Sequence, residues 1–151
     1  MPNPDQQYTA RTLPQVVVDA AAAYGSRIAI IDGEVHLTYE QLDAARISAA
    51  RAFIAAGLEK GERIAIWAPN IYQWIIAAIG AQSIGGVLVP LNTRYKGSEG
   101  AYIIRSSGAK MLFTVGDFLG MRYPEMLADQ SLPGLERTVL FSGEAEACQS
   151  W

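Results

Sequence analysis

The sequence predicts an α/β fold: the first part of a doubly wound, mainly parallel sheet with helices on both faces, preceded by a helix and a β-hairpin, in an incomplete domain. Three observations point there. Short apolar runs recur roughly every 25 residues with helical segments between them, the rhythm of an α/β sheet rather than of a sequence repeat. The runs at 64–67 and 87–91 show no apolar–polar alternation, as expected of strands covered on both faces. The segment between them reads as one helix, and strands joined by so long a crossover pair in parallel with a right-handed connection.

Taken in order, residues 1–11 are polar, carry Pro2 and Pro4, and are expected to be loose. They have neither the basic start nor the apolar centre of a signal peptide. Thr12 opens the first helix and Gln15 follows three residues on, a capping-box pattern. Leu13, Val16, Val17, Ala20 and Tyr24 form its apolar side, and Gly25 stops it. Residues 27–39 read as a hairpin around an Asp32-Gly33 turn. Val35, Leu37 and Tyr39 alternate there with Glu34, His36 and Thr38, which puts His36 on the wetter face. No nucleophile or acid stands near His36 at useful spacing, so it reads as a solvated strand residue rather than a catalytic one. An isolated hairpin is marginal in water, so this one must lean on another element.

Thr38 and Gln41 form a second capping box and open an alanine-rich helix that runs to Ala56 and ends at Gly57. Leu42, Ala45, Ala49, Phe53 and Ala56 share its inward face. After the strand at 64–67, Pro69 interrupts and Asn70 is the expected N-cap of the next helix. Ile71, Trp74, Ile75, Ala78, Ile79 and Gln82 fall on one face of it, and Gly85-Gly86 ends it. Pro90 suggests that the following strand leaves the ladder near its end. Ser98 is the expected cap of a helix over 99–107 stopped by Gly108. A strand at 111–115, a weaker helix at 118–129 containing Pro124, and a strand at 137–141 complete the pattern, and residues 142–151 read as a polar tail.

Composition narrows the function. The chain has 151 residues, 50% of them hydrophobic and 18% charged, as a globular domain has. A net charge of −3 with no basic run argues against nucleic acid as a partner. The single cysteine, Cys148, offers no disulfide framework and fits a reducing compartment, so the cytoplasm is the expected location. One histidine and no histidine–cysteine–carboxylate cluster argue against a protein metal site. No charged residue occurs from Ile64 to Thr93, which raises the question of a membrane span. Spanning takes about 20 continuous apolar residues, and here Pro69, Asn70, Gln73, Gln82, Ser83 and two glycines divide the run, so no transmembrane segment is expected.

Motifs for chemistry are missing. A nucleotide site in such a sheet lies at the carboxyl ends of the strands. Gly80, Gly85 and Gly86 precede a strand instead of following one, so they are not a dinucleotide fingerprint. There is no Gly-Lys-Ser/Thr phosphate loop and no Gly-x-Ser-x-Gly nucleophile elbow. Glu144 and Glu146 read as solvated residues rather than an acid–base couple, and Trp67, Tyr72 and Trp74 read as core rather than as an acyl pocket. The residues by themselves indicate a fold and no catalytic group, which leaves a non-catalytic α/β module binding a nucleotide or a protein as the alternative to any enzymatic reading, and a scaffold or oligomerisation piece as a third.

Three ordered stretches do carry a resemblance: Leu37-Thr38-Tyr39-Glu40-Gln41-Leu42, then Gly61-Glu62-Arg63-Ile64-Ala65-Ile66-Trp67-Ala68-Pro69-Asn70, then Gly85-Gly86-Val87-Leu88-Val89-Pro90-Leu91-Asn92-Thr93-Arg94-Tyr95. In this order and spacing they resemble the N-terminal portion of adenylate-forming acyl-CoA synthetases, and residues 110–120 are similar to the fatty-acid and steroid-acid CoA ligases of that group. The resemblance runs from Thr12 to about Phe141. It implies a longer parent enzyme that activates a small carboxylic acid with ATP and Mg2+ to an acyl adenylate and then transfers the acyl group to coenzyme A. The family's phosphate loop, its Tyr-Gly-x-Thr-Glu segment, its ribose-binding aspartate and its C-terminal lysine have no counterpart here, so this piece alone is expected to be inactive and to need the remainder of the ligase chain as its partner. A long-chain fatty acid is the leaning for the substrate.

The resemblance also implies a site. In similar enzymes the surface after the Val-Pro-Leu strand and the loop after the next strand lie near the nucleotide end of coenzyme A, and here they supply Arg94 and Lys96, then Arg122. Cations there would pair with phosphates, although ordinary surface charge is the plainer reading of each. The expected division is 1–60 for helix, hairpin and helix, 61–141 for the βαβαβ part of an AMP-binding-type domain, and 142–151 for a truncated tail. Strands lacking neighbours leave open edges, so the expectation is a piece that is poorly soluble, self-associates or was cut from a longer fold.

Overall fold

The sheet explains the missing alternation. The computed structural model describes residues 11–151, so the loose start expected of residues 1–10 falls outside the described residues. Strands β3 (Arg63–Trp67), β4 (Val87–Pro90), β5 (Ala109–Thr114), β6 (Arg137–Leu140) and β7 (Gln149–Ser150) form one parallel sheet in the order β4-β3-β5-β6-β7. The second strand lies to one side of the first and all later ones to the other, so the winding reverses at β3, as in doubly wound folds. Ile64, Ala65, Ile66 and Trp67 are all 0% exposed because β3 is central and covered on both faces.

Each face has its own helices. Ile64 and Ile66 lie in register with Met111 and Phe113, and that face meets α2 (Tyr39–Ala55), whose Phe53 ring stands edge-on to Phe113 at 5.3 Å. The opposite face carries Ala65, Trp67, Leu112 and Thr114 and meets α4 (Gly97–Ser107) and α5 (Tyr123–Leu127), with Gly100 against the Trp67 ring. Helix α3 (Tyr72–Ser83) crosses from β3 to β4 and packs on α2. The approach is close: a Cβ on Gly80 would sit 2.6 Å from the Ala49 Cβ. Arg46 joins the same helices, donating to Asp43 at 2.7 Å and to the Ser83 hydroxyl at 3.0 Å.

The N-terminal elements are α1 (Leu13–Tyr24) and the antiparallel pair β1 (Ile28–Asp32) and β2 (Val35–Thr38). Asp32 pairs with Val35, so the two turn residues are Gly33 and Glu34, one place later than expected, with positive φ at Gly33 alone as a II′ turn requires. The hairpin leans on α2 and α3. Thr38 and Gln41 make both halves of their capping box. Thr12 accepts from the Gln15 amide, but the Gln15 side chain turns to Asp19, so that box is only half formed. The predicted apolar side of α1 is mostly uncovered: Leu13 is 60% and Tyr24 49% exposed, and only Val17 of its larger residues packs on the core.

Other local expectations are corrected. Asn70 caps nothing; Ile71 holds the N-cap position of α3, and Asp32 Oδ2 accepts the Tyr72 N–H at 2.9 Å from the hairpin. Lys96, not Ser98, precedes α4, with its backbone N–H donating to Glu99. The helix expected over 118–129 shrinks to Tyr123–Leu127, because residues 118–121 form a tight turn with positive φ at Leu119 and Gly120, and the helix then begins at Tyr123 with Pro124 in its first turn. The tail does not trail away: Gln149 and Ser150 pair with β6, and Trp151 packs edge-on to Phe113 and Phe141. Among the described residues no helix is long and apolar enough to cross a membrane.

Candidate functional site at the carboxyl ends of the strands

Reversal of winding at β3 opens the carboxyl edge of the sheet between the loops that follow β3, β4 and β5. The top of the sheet is fixed: Thr114, 0% exposed, donates from its hydroxyl to the Trp67 carbonyl at 2.6 Å and so ties the ends of β3 and β5. The chain leaves β4 at Leu91, whose N–H donates to Ile66, and turns at residues 92–95. Asn92 organises that turn. Its side-chain oxygen accepts from the Arg94 N–H at 2.9 Å and its carbonyl accepts from the Tyr95 N–H at 3.1 Å.

Two buried aromatics hold the same turn from beneath. Trp67 Nε1 donates to the Asn92 carbonyl at 2.9 Å, and the Tyr123 hydroxyl donates to the Thr93 carbonyl at 3.0 Å. Both side chains are 0% exposed and their rings lie 4.5 Å apart, tilted by 33°. Burial pushes the Tyr123 phenol above its ordinary range, so it stays a protonated donor through neutral pH. Gly97 lies directly against the backbone at Met126, where any Cβ would collide with the carbonyl oxygen, so α4 and α5 meet at their backbones.

The three predicted cations stand on this rim. Arg94 follows Thr93 in the turn, Lys96 precedes α4, and Arg122 precedes α5; all three are exposed. The Tyr123–Thr93 bond brings their two segments together. Arg122 pairs with Glu125 at 2.9 Å, a solvent-exposed pair of small energetic weight. Among the described residues Arg94 and Lys96 form no side-chain ion pair. His36 is exposed on the hairpin, and no group of three or more His, Cys, Asp or Glu able to hold a metal ion occurs among the described residues. Arg94, Lys96 and Arg122 thus carry exposed positive charge from two chain segments at the carboxyl end of the sheet. Tyr123 falls inside the helix expected over 118–129, and only the fold brings its hydroxyl to the Thr93 carbonyl.

Residues 17–148 match the sequence profile of the AMP-binding enzyme family. A 7a-methyl-1,5-dioxo-octahydro-1H-inden-4-yl propanoyl:CoA ligase of Rhodococcus jostii is 35% identical over 139 residues, covering 89% of this chain and 27% of its own. A crotonobetaine/carnitine–CoA ligase of Salmonella paratyphi B is 33% identical over 128 residues, covering 82% of this chain and 25% of its own. The crystal structure of a Rhodopseudomonas palustris protein assigned as a long-chain-fatty-acid CoA ligase superposes with a TM-score of 0.84 at 23% identity, over 95% of this chain and 36% of that one, which bears on the fold alone. The chain thus spans about a quarter of the length of these curated relatives. The profile match over most of its length and the identity to these ligases place the chain in the AMP-binding enzyme family, as the N-terminal portion of an acyl-CoA synthetase fold.

Proposed function

We propose that this chain is the N-terminal part of an ATP-dependent, AMP-forming acid–CoA ligase. The parent enzyme joins a carboxylic acid to the α-phosphate of ATP with loss of pyrophosphate, then passes the acyl group to the coenzyme A thiol with loss of AMP. The 35% identity to a CoA ligase over 89% of the chain supports this most directly. Mg2+ and ATP would be held by polypeptide beyond these residues, and the 151 residues alone would be inactive. A long-chain fatty acid is the proposed substrate type and the cytoplasm the proposed location; the relatives named above act on dissimilar acids, so selectivity belongs to other parts of the enzyme. The division into 1–60, 61–141 and 142–151 is proposed as the register in which the remainder of the chain adds its own elements.

Within this reading Arg94, Lys96 and Arg122 bind the phosphates of coenzyme A. Exposed guanidinium groups on one rim offer planar, bidentate donors to phosphate, and the weak Arg122–Glu125 pair yields readily to it. In the full-length enzyme, Arg94→Ala and Arg122→Ala are each expected to raise the KM for coenzyme A by about tenfold with the KM for ATP unchanged, a loss of roughly 1.4 kcal/mol per contact. An unchanged KM for coenzyme A in both variants removes these residues from the site.

A further inference from the structure

The cation rim is held by a device that ordinary core packing does not require. Two successive loop carbonyls, those of Asn92 and Thr93, are taken by side-chain donors of two aromatic residues from different elements. Trp67 and Tyr123 are fully buried, so each polar hydrogen has the loop carbonyl as its acceptor in place of water, and a buried donor left without an acceptor is strongly unfavourable. The same Tyr123 adjoins Arg122, while Thr93 adjoins Arg94. One hydroxyl therefore links the segment bearing Arg94 and Lys96 to the segment bearing Arg122.

We propose that Tyr123, seated on Trp67, is a positioning residue that sets the β4–α4 turn and the start of α5 in one register, so that a phosphate-bearing ligand meets cations from both segments already in place. This rests on the coenzyme A reading given above. Two further features support it. Gly97 lets α4 and α5 touch at their backbones, and Gly100 lets α4 lie flat on the Trp67 ring, so little else separates the two segments. The Asn92 turn is closed by its own bonds to Arg94 and Tyr95, so what the aromatics hold is the placement of a preformed turn rather than its shape.

Tyr123→Phe isolates the effect, since the ring and its stacking on Trp67 remain and only the hydroxyl bond to Thr93 is lost. In the full-length enzyme the KM for coenzyme A is expected to rise by about fivefold, with kcat and the KM values for ATP and acid within about twofold of the parent. Amide exchange at Arg94 and Tyr95 is expected to quicken by a similar factor while the amides of β3 keep their protection. If Arg94→Ala raises the KM for coenzyme A and Tyr123→Phe does not, positioning by Tyr123 is overturned and the coenzyme A site stands. If kcat and all three KM values deteriorate together, the hydroxyl serves general stability and the proposal fails. If neither arginine variant alters the KM for coenzyme A, the site itself falls and the proposal with it, whatever Tyr123→Phe does.

Discussion

The N-terminal helix and hairpin and the parallel sheet have similarly apolar sequences and end with opposite exposures. Four consecutive residues of β3 are 0% exposed, whereas Leu13 on α1 is 60% and Ile31 on β1 is 68% exposed. Helix α1 has no buried residue, and α3, of the same length, has six. Amphipathic patterning states which face of an element is to be covered and not what covers it. The sheet is covered on one face by α2 and on the other by α4 and α5. Among the described residues the hairpin packs mainly on α2 and α3, and Ile31 on its outer side is exposed.

The largest effect tests that contrast directly. Ile66→Ala, in the middle of β3, is expected to cost about 2–5 kcal/mol from lost burial and the cavity left behind, seen as a lowered midpoint in denaturant. Leu13→Ala in the same chain is expected to cost under about 0.5 kcal/mol, as exposed positions do. Comparable losses at the two sites would mean that α1 is covered after all, and the contrast between the regions would collapse.

The joint between the regions comes next. Asp32 Oδ2 receives the Tyr72 N–H, so a residue of the hairpin satisfies a free donor at the start of α3, where a negative charge is also favoured. Asp32→Ala is expected to cost about 1 kcal/mol, with quickened amide exchange at Tyr72 and little change in β5. Asp32→Asn keeps an acceptor and should recover most of it. Equal losses for both variants would show that charge and not the hydrogen bond makes the joint.

That joint also marks how far the sequence could be read. The strands, the parallel pairing, the order of helices and the capping box at Thr38 follow from patterns within a few residues, and the structure has them. What escaped depends on residues far apart. Asp32 lies 40 positions from the amide it caps, so Asn70, the local candidate, took the assignment. Tyr123 lies 30 positions from Thr93, and nothing near it shows that its hydroxyl has a carbonyl to reach. Gln15 had a competing partner in Asp19, which a spacing rule for capping boxes does not weigh. Strand β7 is only two residues long and polar; it forms because the edge of β6 is open to it and Trp151 finds Phe113 and Phe141. Arg94, Lys96 and Arg122 came from the family resemblance alone, and the two aromatic bonds beneath their turn had no local signal.

The smallest expected effect lies at the opposite, amino end of the sheet. Lys110 at the start of β5 pairs with Glu62, which precedes β3, and with Glu136 at 3.5 Å. The Lys110 hydrogen bond, with help from the Glu59 backbone, holds the Glu62 carboxyl below its ordinary value of 4.5, and Glu62 in turn raises the Lys110 ammonium above 10.5. A carboxyl depressed by folding contributes stability that is present above its unfolded value and is lost as pH falls through the lower folded one; the raised lysine contributes below 10.5 and loses its part as pH climbs through its folded value. Both groups are half-buried at this end of the sheet and still reach solvent, so the contribution is small and screened by salt. Glu62→Gln should therefore lower the melting temperature slightly at neutral pH, and the difference from the parent should close as pH falls below about 4.5. An acid decline identical in parent and variant would assign that slope to carboxylates elsewhere, and the difference between the two regions would then owe nothing to charge and rest on apolar cover alone.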